Sequence, residues 1–211
     1  MYIPQHFRED RAEVLHAFIR EHTLATVVTL TADGLMANHI PMILDPAAAP
    51  LGVLRGHVSR ANPQWRESLV ETEALAIFQG PSAYISPSWY KTKDETGRVV
   101  PTYNFVVVHA RGRFRAFEDA MDLERNVREL TEHHEAAFPR QWSVDDAPAD
   151  FIRSQLKGIV GVEIVISRLE GKWKVSQNRP VADRAGVVEA LQADGNSGHA
   201  LMAECVLGNK I

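Results

Sequence analysis

The residues best equipped for chemistry cluster in one short region. Gly80-Pro-Ser-Ala-Tyr-Ile-Ser-Pro-Ser-Trp-Tyr90 is followed closely by Val100-Pro-Thr-Tyr-Asn-Phe105. Together they hold Ser86, Ser88, Trp89, Tyr90, Lys91, Lys93, Thr102, Tyr103 and Asn104. Strand-like runs, Ala74–Gln79 and Tyr103–Phe117, flank the cluster. Hydroxyls, ammonium groups and an indole beside a sheet suit a planar, phosphorylated cofactor: Lys91 and Lys93 would reach a phosphate, and Trp89 would stack on a ring. The same segment also reads as a structured surface loop whose aromatics serve packing.

Three further stretches carry polar groups at places where ligands bind. In Gly56-His57-Val58-Ser59-Arg60-Ala61-Asn62-Pro63-Gln64-Trp65 a strand gives way to a helix. Amides at a helix start attract anions, and His57, Ser59 and Arg60 would add hydrogen bonds and charge. A plain capped turn with an exposed arginine explains it equally. In Met36-Ala-Asn-His-Ile-Pro-Met42, Pro41 marks a sheet edge or an interrupted ladder. Exposed backbone there would hydrogen-bond a heteroaromatic ring, and the alternative is an edge strand with a satisfied His39. Val175-Ser-Gln-Asn-Arg-Pro180 is dense in amide and guanidinium donors just after a strand, and also reads as a helix entry.

Other features carry less. Glu132-His-His-Glu135 lacks the i, i+4 spacing of helical metal ligands, because adjacent side chains point about 100° apart. It reads as a solvated helix end, and no metal is expected. Cys205 lies in an apolar tail and reads as packing. No carboxylate pair, Ser-His-Asp set, P-loop or helix-turn-helix is recognisable, so no catalytic residue is assigned.

The elements that position these residues follow from hydrophobic periodicity. A helix is expected from Asp10, with Glu13 at capping-box spacing and Val14, Leu15, Phe18 and Ile19 as its apolar stripe. Leu24–Thr31 and Leu35–Leu44 read as strands joined by a tight turn at Asp33-Gly34. Leu51–Val58 is a third strand, followed by Asn62-Pro63 and a short helix through Trp65, Leu69 and Val70. Ala74–Gln79 is a strand that Gly80-Pro81 turns. Tyr103–Phe117 is a long strand buried on both faces. Helices are expected over Asp119–Ala136, Pro148–Leu156, Ala182–Ala193 and His199–Leu207. Ile159–Ile166 and Lys172–Ser176 read as a hairpin turning at Glu170-Gly171. Antiparallel pairing without β-α-β alternation predicts a mainly β fold, an antiparallel barrel with peripheral helices. The expectation is one domain over residues 1–211, with a C-terminal helical and hairpin extension.

Composition bounds the function classes. The 211 residues are 45% hydrophobic and 24% charged, enough to bury a core. The net charge of -4 draws the chain to neither nucleic acid nor an anionic membrane. The single cysteine forms no internal disulfide. The N-terminus lacks a signal peptide's basic start and apolar run, and no apolar stretch reaches the ~20 residues of a spanning helix. A soluble cytoplasmic protein is expected.

Taken as a set, Met1-Tyr-Ile-Pro, Gly56-His-Val-Ser-Arg-Ala-Asn-Pro-Gln-Trp65, Tyr84-Ile-Ser-Pro-Ser-Trp-Tyr90, Val100-Pro-Thr-Tyr-Asn-Phe105 and Lys174-Val-Ser-Gln-Asn-Arg179 resemble the PaiB family in order and spacing. The resemblance spans nearly the whole chain. Tyr103 and Phe105 stand where Trp and Tyr are usual, and Val175 replaces a common Leu. The resemblance implies an FMN-binding split β-barrel, related in fold to pyridoxamine-phosphate oxidases and flavin reductases. It implies a homodimer with the flavin between subunits, and a negative transcriptional regulator, linked in Bacillus to sporulation and degradative enzyme synthesis. DNA binding follows from the resemblance alone, since neither charge nor motif supports it.

Residue by residue, the resemblance places the FMN phosphate at His57, Ser59, Arg60 and Asn62. Ala61 stands where the oxidase relatives have lysine, so Lys91 or Lys93 would supply the missing cation. Asn38 and His39 lie on the strand that faces the isoalloxazine. Ser88, Trp89, Thr102, Asn104, Gln177 and Arg179 are the remaining cleft candidates. A flavin-dependent oxidoreductase is the alternative, because flavin supplies the redox chemistry itself. A haem-binding split barrel, with His57 or His109 as axial ligand, ranks after it.

Overall fold

The computed structural model describes residues 1–69 and 72–208. Its strands are β1 (Arg8–Glu9), β2 (Leu24–Thr31), β3 (Gly34–Pro41), β4 (Ile43–Asp45), β5 (Val53–Ser59), β6 (Glu73–Ile85), β7 (Thr102–Phe117) and β8 (Ile159–Lys174). Its helices are α1 (Ala12–Glu21), α2 (Gln64–Glu67), α3 (Lys91–Thr96), α4 (Ala120–Glu135), α5 (Ala149–Leu156), α6 (Val181–Ala193) and α7 (Ser197–Leu207). The strands follow the order β3-β2-β6-β7-β8-β5-β4, with β1 on β8. Every pair whose register is defined is antiparallel.

The chain forms two compact units. Unit one comprises Met1–Phe18, Gln79–Val108 and Glu170–Ile211; unit two comprises Ile19–Phe78 and His109–Leu169. In unit two, Asp33-Gly34 makes the expected turn, with Gly34 at φ 117°, a conformation that favours glycine. β2 and β3 pair from Thr31↔Gly34 to Leu24↔Pro41. Ala25, Val27, Ile40, Leu54, Phe78 and Ile164 are among its fully buried core side chains. Among the described residues, β3 has β2 as its one ladder neighbour and ends the sheet path.

In unit one, Phe18 packs edge-on against Trp173, with ring centroids 5.3 Å apart. Val106, Val107 and Val108 are all buried, but Tyr103, Arg113 and Arg115 are exposed, so the two-sided burial expected over Tyr103–Phe117 holds only in the middle of β7. Helix α6 buries Val187 and Leu191, and α7 buries Met202, Ala203 and Val206. Arg184 Nη2 donates to the Val206 carbonyl at 2.6 Å and ties the two helices together.

Four expectations are corrected. Glu170-Gly171 is no turn: β8 runs unbroken from Ile159 to Lys174. A Cβ at Gly171 would come within 2.8 Å of the Glu9 carbonyl and press on Leu15 and Trp173, so this glycine admits the close approach of β1 and α1. Gly80-Pro81 likewise lies inside β6, because proline's φ near −65° is compatible with extended backbone. Leu35–Leu44 divides at Met42, whose amide donates to the Thr23 carbonyl at 2.8 Å; beyond it β4 pairs with β5. Helix α2 stops at Glu67, and Leu69 donates its amide to the Leu30 carbonyl; Val70 lies outside the described residues.

Candidate functional site

The sequence-derived candidates fall into two groups, one in each unit. In unit two, β3 carries Asn38 and His39. Asn38 Nδ2 donates to Gln64 Oε1 at 3.0 Å. Gln64 is fully buried, and its amide donates in turn to the Val27 carbonyl and Thr29 Oγ1, both at 3.1 Å. Asn38 therefore belongs to a satisfied internal network. His39 is exposed and sits 3.0 Å from Thr26 Oγ1, its ladder partner.

The β5–α2 turn is closed by its own hydrogen bonds. Ser59 Oγ accepts from the Ala61 amide at 3.3 Å, and Asn62 Oδ1 accepts from the Gln64 amide at 3.0 Å. The Arg60 guanidinium donates to the Lys157 carbonyl at 2.9 Å and the Ile159 carbonyl at 3.1 Å, and pairs with the Glu118 carboxylate. Trp65 Nε1 donates to the Arg60 carbonyl at 3.2 Å. Upstream, His57 Nδ1 lies 3.4 Å from Asn126 Oδ1 on α4. Burial holds the His57 imidazole below its ordinary pKa, and the Asn126 contact opposes this in part.

In unit one, Ser86 caps the short 3-10 turn Pro87–Trp89, its Oγ accepting from the Ser88 amide at 3.2 Å. Lys93 Nζ donates to Ser88 Oγ at 3.4 Å, and exposed Lys91 pairs loosely with Asp94 at 3.9 Å. Trp89 is half-buried; its carbonyl packs so closely on Gly186 of α6 that a Cβ there would clash with it. Buried Asp183 fixes the same junction, accepting from the Thr92 amide at 2.9 Å.

The remaining candidates meet at the β8–α6 turn. Buried Asn104 donates through Nδ2 to Ser176 Oγ at 2.9 Å. Gln177 folds back, donating to the Trp173 carbonyl and accepting from the Val175 amide at 2.8 Å. Ser176 holds φ at 63°, a left-handed conformation uncommon for serine. Thr102 Oγ1 accepts from Lys174, which also donates to the Tyr103 carbonyl. The Arg179 guanidinium lies over the Tyr90 ring, 4.7 Å from its centroid. Burial pushes the Tyr90 phenol up, and the neighbouring Arg179 charge opposes this in part.

Sequence reasoning missed several residues that shape these groups. Gln64, Glu118 and Asn126 show no local signal, because each acts on a residue made near only by folding. Lys172 and Lys174 did leave one: two lysines two residues apart on a strand share a face.

These features define a protein built on an antiparallel β-sheet with peripheral helices. Residues 1–168 match the family model described as "Putative FMN-binding domain". The chain is 34% identical over 204 residues to "Protease synthase and sporulation protein PAI 2" of Bacillus subtilis, covering 97% of this chain and 95% of that one. It belongs to the FMN-binding split-barrel family, of PaiB type. Solved structures share the fold at low identity. The flavocytochrome Anf3 from Azotobacter vinelandii superimposes with a TM-score of 0.58 at 11% identity, over 82% of this chain and 72% of that one. The FAD and haem binding protein from Mycobacterium smegmatis gives 0.55 at 15% identity, over 79% and 73%.

Proposed function

We propose that this protein binds FMN as a homodimer and acts as a negative regulator of PaiB type. The observation that carries the reading is family membership over residues 1–168, joined to a relative at 34% identity along nearly the full chain. That relative's name concerns protease synthesis and sporulation.

The residues present fit a flavin on two counts. Strand β3 ends the sheet path and, among the described residues, has no ladder partner on its outer edge. Its amides and carbonyls there are suited to the alternating donors and acceptors of a heteroaromatic ring. The second count is charge: unit one offers Lys91, Lys93 and Arg179 in exposed or half-buried positions. FMN, when bound, supplies hydride and one-electron chemistry itself. Asn38 and His39 are proposed to orient the ring from β3. His57, Ser59, Arg60 and Asn62, with Ser88, Trp89, Thr102, Asn104 and Gln177, are the remaining candidates for contacts to FMN.

The visible spectrum of the purified protein tests the reading. A yellow protein that releases FMN on denaturation is expected. A colourless protein that takes up no added FMN overturns it. For the regulatory part, a specific shift of promoter DNA that weakens with salt is the signature of direct action, and its absence at low salt assigns regulation to another route.

A further inference from the structure

We infer that the end of β8 and the turn after it form a binding site for a phosphate monoester, built on Lys172, Lys174 and Arg179. All three are half-buried. Lys174 Nζ donates to Thr102 Oγ1 and the Tyr103 carbonyl. Lys172 Nζ donates to the Tyr2 carbonyl at 3.1 Å and stands 5.2 Å from the Phe105 ring centroid. Arg179 rests on Tyr90. Among the described residues, none of the three has a carboxylate within ion-pair reach. Asp183, whose charge acts on Tyr90, is buried and bonded to the Thr92 amide.

Half-buried cations without a counter-ion are costly. Burial, then the charges of Lys172 and Arg179, pull the Lys174 ammonium below its ordinary pKa. Electrostatics alone would not gather these groups, yet the scaffold around them is rigid. Ser176 sits in a left-handed conformation held by Asn104, and Gln177 braces the turn from inside. Such strain persists where surrounding structure enforces it, and it collects at ligand sites. An anion would relieve the repulsion. A phosphate monoester carries about −1.5 to −2 near neutrality, and two ammonium groups with a guanidinium fork match it better than a single carboxylate would.

The ester has two sources, the flavin's own phosphate or a second phosphorylated ligand; in the first case the inference rests on the flavin reading. Titrations of FMN, riboflavin and inorganic phosphate into the wild-type chain and Lys174→Gln separate them. A fall of at least about tenfold in FMN affinity, with riboflavin unchanged, assigns the site to the flavin phosphate. Unchanged flavin affinities, with loss of the rise in melting temperature that inorganic phosphate gives the wild type, assign it to a second ligand. Equal losses for FMN and riboflavin overturn the inference, as does a variant whose responses all match the wild type. If the wild type binds no FMN, the flavin reading fails and the phosphate melting shift alone decides. Arg179→Gln gives the same readouts without disturbing the Lys174 hydrogen bonds, should Lys174→Gln not fold.

Discussion

The molecule makes the same connection twice, and the two copies differ in charge. The β5–α2 turn and the β8–α6 turn each lead a strand into a helix, and each carries an arginine among serine and amide side chains. In the first, Arg60 is spent on two carbonyls and Glu118. In the second, Arg179 faces a ring, and the lysines before it find hydroxyl and carbonyl oxygens but, among the described residues, no carboxylate. A turn whose donors are consumed internally is a structural device. The second turn, whose cations meet no carboxylate among the described residues, is the one proposed to take an anion. Residue types alone do not separate an anion site from a well-made corner; the partners do.

The largest effect is expected at the helix that follows the second turn. Gly186 of α6 lies against the Trp89 carbonyl with no room for a side chain. Gly186→Val should push α6 away from the Pro87–Trp89 turn and cost about 3 kcal/mol, the upper range for overpacking. Urea denaturation measures it. Loss of stability together with FMN and phosphate binding is the expected pattern. An unaltered denaturation midpoint would mean that α6 does not brace the second turn, and the comparison would lose one of its terms.

Next comes Arg60→Ala. It leaves the part-buried Ile159 carbonyl without its side-chain donor, while water can replace the exposed bond to the Lys157 carbonyl, at about 1 kcal/mol. The exposed Glu118 pair adds little. If the first turn is a corner, this variant melts earlier but keeps the wild-type ratio of FMN to riboflavin affinity. A selective loss of FMN affinity would instead place the phosphate at Arg60 and reverse the roles of the two turns.

Much of the scaffold was legible because its signals are local. Asp33-Gly34 identified a hairpin, and the apolar run Val106–Val108 identified a strand, although two-sided cover is confined to that run and Arg113 and Arg115 face outward. Where reading failed, one local signal had two causes. Glycine at 171 looks like a turn residue, but here it makes room for the Glu9 carbonyl and Leu15. Gly80-Pro81 has turn composition yet continues β6, since extended backbone suits proline as well as a turn does. The sites were legible as residue types and not as partnerships. Arg60 is visible as a cation, but Glu118 lies 58 positions away and only folding pairs them. Lys172 and Lys174 could have been flagged from strand alternation, though which partners they meet is a property of three dimensions.

The smallest effect tests the approach to the first turn through pH. His57 ends its side chain against Asn126, and burial disfavours its imidazolium, so its folded pKa lies below the ordinary value of 6.5. The unfolded chain therefore takes up the proton first as pH falls. Stability from this group is complete above about pH 6.5 and is lost as pH drops through the depressed folded value. His57→Gln should flatten that part of the stability profile, measured as urea midpoints from about pH 7.5 to about pH 5. Carboxylates titrate at the lower end in both proteins, so the difference between wild type and variant carries the information. A difference that grows toward acid marks His57 as a neutral, buried strut of the closed turn. A flat difference would mean that His57 stays as ready to charge as in the unfolded chain, which a strand end packed against α4 does not allow.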